Sequence, residues 1–143
     1  MKKKTFIIAV SWVAVLICMA VIFCFSAQSA TQSQELSDLF AFLLKLPFGS
    51  FIIRKGAHFL EFAGLATLIF NALYQSFGFL RPFISIILTS AYAASDEIHQ
   101  LFVEGRACRI FDWFVDLSGA ICAIAFLYLI IKLFSRIKRR NLR

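Results

Sequence analysis

Four long apolar runs, set apart by short polar stretches, give this chain its pattern. No charged residue falls between Thr5 and Gln34. The apolar part of that stretch, about 6–25, meets the roughly 20 residues a helix needs to cross a bilayer. Runs of similar length follow at about 56–75, 82–101 and 113–133. The run lengths predict an all-α, polytopic membrane protein with four transmembrane helices. Lys2, Lys3 and Lys4 ahead of the first run, with the small residues Ala27 and Ser29 after it, also fit a signal peptide cut after Ser29. The run exceeds the roughly 7–15 residues of a signal core, so an uncleaved first helix is expected.

The segment between the first two runs has a different period. Thr31-Gln32-Ser33-Gln34 matches a capping box, and Leu36, Leu39, Phe40, Leu43 and Leu44 recur at helical spacing up to Pro47 and Gly49. This predicts a short amphipathic helix over about 31–46, lying on the membrane surface or over a site as a lid. Pro82, after the short turn that begins at Ser76, suits the first turn of the third crossing.

Composition removes the soluble alternatives. The chain has 143 residues, of which 61% are hydrophobic and 16% charged, with 18 Phe. That is too little charge to cover a soluble domain, and the length allows one domain, 1–143. The net charge of +7 sits mostly at the chain ends beside apolar runs, where it meets lipid headgroups, so the expected partner is the bilayer and no nucleic acid. Cys18, Cys24, Cys108 and Cys122 form no C-x-x-C pair, which argues against a disulfide framework.

Charge also orients the chain. With four crossings, the side that carries both termini holds Lys2, Lys3, Lys4, Arg81, Lys132, Arg136, Lys138, Arg139, Arg140 and Arg143. The other side holds Lys45, Arg54, Lys55, Arg106 and Arg109. The positive-inside rule then puts both termini in the cytoplasm. All eight acids lie on or near the opposite face.

Ionisable groups at membrane depth need partners or water, and here they form three clusters. Arg54, His58 and Glu61 share a face at the start of the second crossing, with Lys55 beside them and Gly64 below as a point of close helix approach. Asp96, His99 and Gln100 share a face at the end of the third, above a stripe of Ser85, Thr89 and Ala93, while Glu97 points about a quarter-turn away. Arg106 lies in the following loop. Asp112 reads as an N-cap, and Asp116 stands above Gly119, Ala120 and Ala123. If the three small-residue stripes pack together, His58, Glu61, Asp96, His99, Arg106 and Asp116 meet in one outward-facing pocket.

Such a pocket can hold a polar headgroup or peptide-like ligand through Arg54 and Arg106, with carboxylates steadying the arginines. It can instead hold a divalent metal at His58, Glu61, Asp96 and His99, or perform acid–base chemistry. A fourth reading is purely structural: ion pairs that lock helix ends. No cofactor is implied, and binding of a cell-envelope or lipid-linked ligand is expected rather than catalysis. The alternatives are a metal-assisted envelope enzyme acting on a lipid or cell-wall precursor, and a structural partner of another membrane protein.

Four motifs carry a resemblance. They are Phe25-Ser26-Ala27-Gln28-Ser29, Arg54-Lys55-x-Ala57-His58-Phe59-x-Glu61-Phe62, Ser95-Asp96-Glu97-Ile98-His99-Gln100-x-Phe102 with Arg106, and Asp112-x-x-x-Asp116-x-x-Gly119-Ala120. In these the chain resembles the VanZ-like family of small bacterial membrane proteins, named for a teicoplanin-resistance protein. The resemblance implies a bacterial plasma membrane location, and for the namesake a reduced susceptibility to glycopeptides acting outside that membrane. It supplies no mechanism. Where the family often has Pro before the loop glycine, this chain has Glu104-Gly105.

Overall fold

Apolar runs of this length close their backbone hydrogen bonds internally, and each becomes a helix. In the computed structural model, which describes residues 2–43, 45 and 49–140, the order is α1 (Lys2–Ser26), α2 (Ala30–Leu43), α3 (Ser50–Phe77), α4 (Pro82–Gln100) and α5 (Ile110–Arg140). There is no strand among the described residues. Three helices, α1, α3 and α5, are long and apolar enough to cross a membrane. The segment expected as the third crossing is a helix, α4, but Ser85, Thr89, Ser90, Ser95 and its Asp96–Gln100 end make it too polar to stand with them by composition.

The boundaries differ from those expected by a few residues. α3 begins at Ser50 rather than near 56, and α5 runs from Ile110 to Arg140. Charged turns that look like loop in a hydropathy profile continue the helices beyond their apolar centres. α2 begins at Ala30 rather than Thr31. Its expected last residues, Leu44 and Leu46, and the stop at Pro47 lie outside the described residues.

α3 is the centre of the bundle. Phe62, Leu65, Ala66 and Ala72 are completely buried, and Ile69, Phe70 and Leu73 nearly so. It packs chiefly on α5 and α1, while α4 lies against α5 and α3, and α2 covers the start of α3. The outer surfaces are apolar: Phe6, Leu16, Phe83, Ile87, Phe126 and Phe134 are exposed, as a lipid-facing surface requires.

Polar side chains tie the helices where apolar packing alone gives little direction. Trp12 Nε1 donates to Ser76 Oγ at 3.1 Å, linking α1 to α3. Tyr92 Oη donates to the Met19 carbonyl at 2.6 Å, and Trp113 Nε1 to the Ser90 carbonyl at 3.2 Å. The small stripe of α4 packs as expected. Ser85, Thr89 and Ala93 have no exposed surface, and Ser85 Oγ donates to the Ala66 carbonyl of α3 at 2.8 Å.

The close approach of helices falls at a different glycine from the one expected. Gly64 has nothing within 4 Å of where a Cβ would stand, whereas a Cβ on Gly119 would run into the Phe59 carbonyl. α5 therefore lies against the backbone of α3 at Gly119, and this sets the distance between the residues one and two turns above it.

Candidate functional site

The charged residues of α3 meet α5 in two rungs. Lys55 Nζ lies 2.5 Å from Asp112 Oδ1. One turn further in, His58 Nδ1 lies 3.5 Å from Asp116 Oδ1, and the Asp116 side chain has no exposed surface. Asp112 is not the N-cap. It sits in the first turn of α5, where a negative charge favours the helix dipole and can also reach Lys55.

Asp96, Glu97 and Gln100, all buried, hold the ends of α1, α4 and α5 together. Asp96 Oδ2 accepts from Ser26 Oγ at 2.7 Å and from Gln100 Nε2 at 3.1 Å. Glu97 Oε2 accepts the Arg109 backbone N–H at 2.9 Å, which fixes the loop just before α5. His99 turns away from this group and lies against Phe23 of α1, with ring centroids 4.4 Å apart.

Arg106 reaches back across the α4–α5 loop. Its Nε donates to the Gln28 carbonyl at 3.0 Å and its Nη2 to the Phe25 carbonyl at 3.4 Å. Phe25 is in the last turn of α1, where carbonyls lack helical partners, and Gln28 is in the turn that follows it. Burial, and then the like charge of Arg54, push the Arg106 guanidinium below its ordinary pKa, while Asp96, Glu97 and Glu61 each pull the other way less strongly. The expected arginine–carboxylate pairs do not form. Among the described residues the ion pairs are Lys55–Asp112 and His58–Asp116, while Asp96 and Glu97 bond Ser26, Gln100 and the Arg109 backbone instead.

The same loop also closes on α2. The Ala30 N–H donates to the Glu104 carbonyl at 3.1 Å. Gly105 has φ +71°, and a Cβ there would stand 3.0 Å from the Ala30 Cβ, so both backbone conformation and space call for glycine. α2 is capped by Ser29 and Gln32, not by Thr31 and Gln34. The Ser29 N–H donates to Gln32 Oε1 at 3.1 Å, and the Gln32 N–H to Ser29 Oγ at 3.3 Å. Gln34 is left to bond Ser50 at the start of α3.

Two cavities result. One, about 120 Å³, is bordered by Arg54, Lys55, His58, Arg106, Arg109 and Asp112. The other, about 140 Å³, lies under α2, with Phe25, Leu36, Phe40 and Ile53 on its apolar side and Ser33, Ser37, Gln28 and Glu61 on its polar side. Arg54, His58 and Arg106 border both. Of the expected pocket, His58, Glu61 and Arg106 line open space, Asp96 and Asp116 are buried behind it, and His99 faces α1. Accordingly the proposed metal set of His58, Glu61, Asp96 and His99 does not converge. Among the described residues, no three His, Cys, Asp or Glu side chains are gathered to hold a metal ion.

Several contributors were not singled out from sequence. Arg109 was counted only as a loop charge, and Ser26 and Gln28 only as part of a weak motif. The carbonyls that hold Arg106 are backbone and leave no residue-type signal.

No curated protein and no solved structure matches this chain. Its buried Asp96 and Asp116, its Arg106 clasp and the close crossing at Gly119 all fall on the motifs quoted above, and the matching family model covers residues 11–132; the chain is a member of the VanZ/LLP1 family.

Proposed function

We propose that this protein crosses a bacterial plasma membrane four times, with both termini in the cytoplasm. In this reading its outer pocket binds a cell-envelope or lipid-headgroup ligand. The observation that carries it is the meeting of the two cavities at Arg54, His58 and Arg106, with neither guanidinium paired to a carboxylate among the described residues. A network serving only as glue tends to satisfy its members. Here Arg54, at the edge of both cavities, makes no ion pair or side-chain hydrogen bond among the described residues, which favours a site over a lock.

α4 serves as the third crossing in chain order and brings the total to four. Its 19 residues span about 28 Å, it turns its polar stripe to α3 and α5, and it presents Phe83, Ile84, Ile87 and Leu88 outward. The family's namesake is linked to reduced susceptibility to teicoplanin-type glycopeptides, and in this reading binding of an envelope component at the outer face gives this chain a similar effect. His58 at the edge of both cavities, backed by Asp116, favours acid–base chemistry on the bound ligand as the second reading.

Expression in a teicoplanin-susceptible bacterium tests the binding reading. The wild-type chain is expected to raise the teicoplanin concentration that stops growth. Arg54→Ala is expected to abolish that effect at unchanged membrane level, while Glu97→Ala loses folded protein and phenotype together. Full phenotype in Arg54→Ala overturns the role of the pocket.

A further inference from the structure

Resting on the binding reading above, we propose that the ligand is a lipid phosphate monoester, its phosphate in the basic cavity and its hydrocarbon chain in the cavity under α2.

The first support is charge. Four cations, Arg54, Lys55, Arg106 and Arg109, border the basic cavity with one carboxylate, Asp112, which already faces Lys55. A carboxylate ligand brings one negative charge, whereas a phosphate monoester brings about two at neutral pH. Guanidinium forks also match tetrahedral oxyanions through paired hydrogen bonds. Arg54 is half-buried and makes no ion pair or side-chain hydrogen bond among the described residues. Arg106 spends its described bonds on backbone carbonyls. The start of α5 adds the positive end of a helix dipole to the same wall. At about 120 Å³ the cavity is well above the ~15 Å³ that admits one water.

The second support is the adjoining apolar wall. Leu36 and Phe40 of α2, Phe25 of α1 and Ile53 of α3 border the second cavity. Phe25 and Phe40 are also about half exposed, so this wall continues into the lipid-facing surface. Exposed Leu39, Phe42 and Leu43 on α2 hold that helix at the depth where headgroup and chain join. A free phosphate has no use for such a wall; a phospholipid uses both cavities at once.

The test is binding to the purified full chain in a neutral maltoside detergent, read by calorimetry. The probes are dioctanoyl phosphatidic acid, dioctanoyl phosphatidylcholine, decanoate and inorganic phosphate. Phosphatidic acid is expected to bind about tenfold or more tightly than each of the others, the difference that a charge-assisted hydrogen bond makes. Arg54→Gln is expected to weaken it about tenfold, with Arg54→Lys recovering part. Since Arg54 makes no ion pair or side-chain hydrogen bond among the described residues, an unchanged thermal midpoint certifies the fold of both variants. Leu36→Glu is expected to weaken phosphatidic acid and leave inorganic phosphate unaffected.

Equal affinity for phosphatidylcholine, inorganic phosphate or decanoate overturns the proposal, and so does phosphatidic acid binding that ignores Arg54→Gln. If phosphatidic acid fails but the protein retains a component of a total envelope extract in an Arg54-dependent way, the phosphate lipid falls and the broader binding reading stands. If that retention fails as well, both fall.

Discussion

At Gly119 a single missing methyl group decides how closely α5 approaches α3, and with it the reach of Lys55 to Asp112 and of His58 to Asp116. Gly119→Val forces its side chain into the Phe59 carbonyl, a contact with backbone that no rotamer change relieves. We expect it to destabilise the folded protein by about 3 kcal/mol or more, read as a lowered midpoint in detergent unfolding, while Gly64→Ala leaves the midpoint unchanged. The sequence offered both glycines on small-residue stripes. It could not tell them apart, since which stripe faces a backbone depends on helix rotation. The same limit explains His99. Its spacing puts it on the face of Asp96, yet Phe23 of α1 supplies an aromatic partner that draws the ring aside.

Among the elements, α2 is the one whose position was least legible. Its amphipathic period was plain, and either Ser29 or Thr31 begins a capping box with a Gln three residues on. The tie is broken outside the helix, by the bond from Ala30 N–H to the Glu104 carbonyl and by Gly105 against Ala30. Ser29→Ala is expected to cost about 1 kcal/mol of local stability. It should appear as roughly fivefold faster hydrogen exchange at Gln32 and Ser33, with exchange in α3 unchanged; the matching Thr31→Ala should leave these amides as they are. The membrane-crossing helices were easier to read, because long apolar runs have no alternative but to close their own hydrogen bonds. Their ends were not, because charged turns such as Arg54-Lys55 and Lys138-Arg139 continue the helix beyond its apolar part.

For the whole molecule, the proposed orientation puts the α4–α5 loop outside and the end of α5 inside. Cys108 is exposed in that loop. In a variant with Ala at Cys18, Cys24 and Cys122, a membrane-impermeant maleimide is expected to label Cys108 in intact cells. A Cys introduced at Ser135 should be labelled only after lysis, and the reverse pattern inverts the topology. In that orientation the loop and the basic cavity lie together at the outer end of the bundle, where Arg54 and Arg106 stand near each other with like charge. In linkage terms, an anion that settles between them binds the folded chain and not the unfolded one, so its local concentration adds directly to folding stability. A membrane poor in that lipid would hold a less stable and more readily degraded protein, making the cell's own lipid composition a control on how much of this protein it keeps.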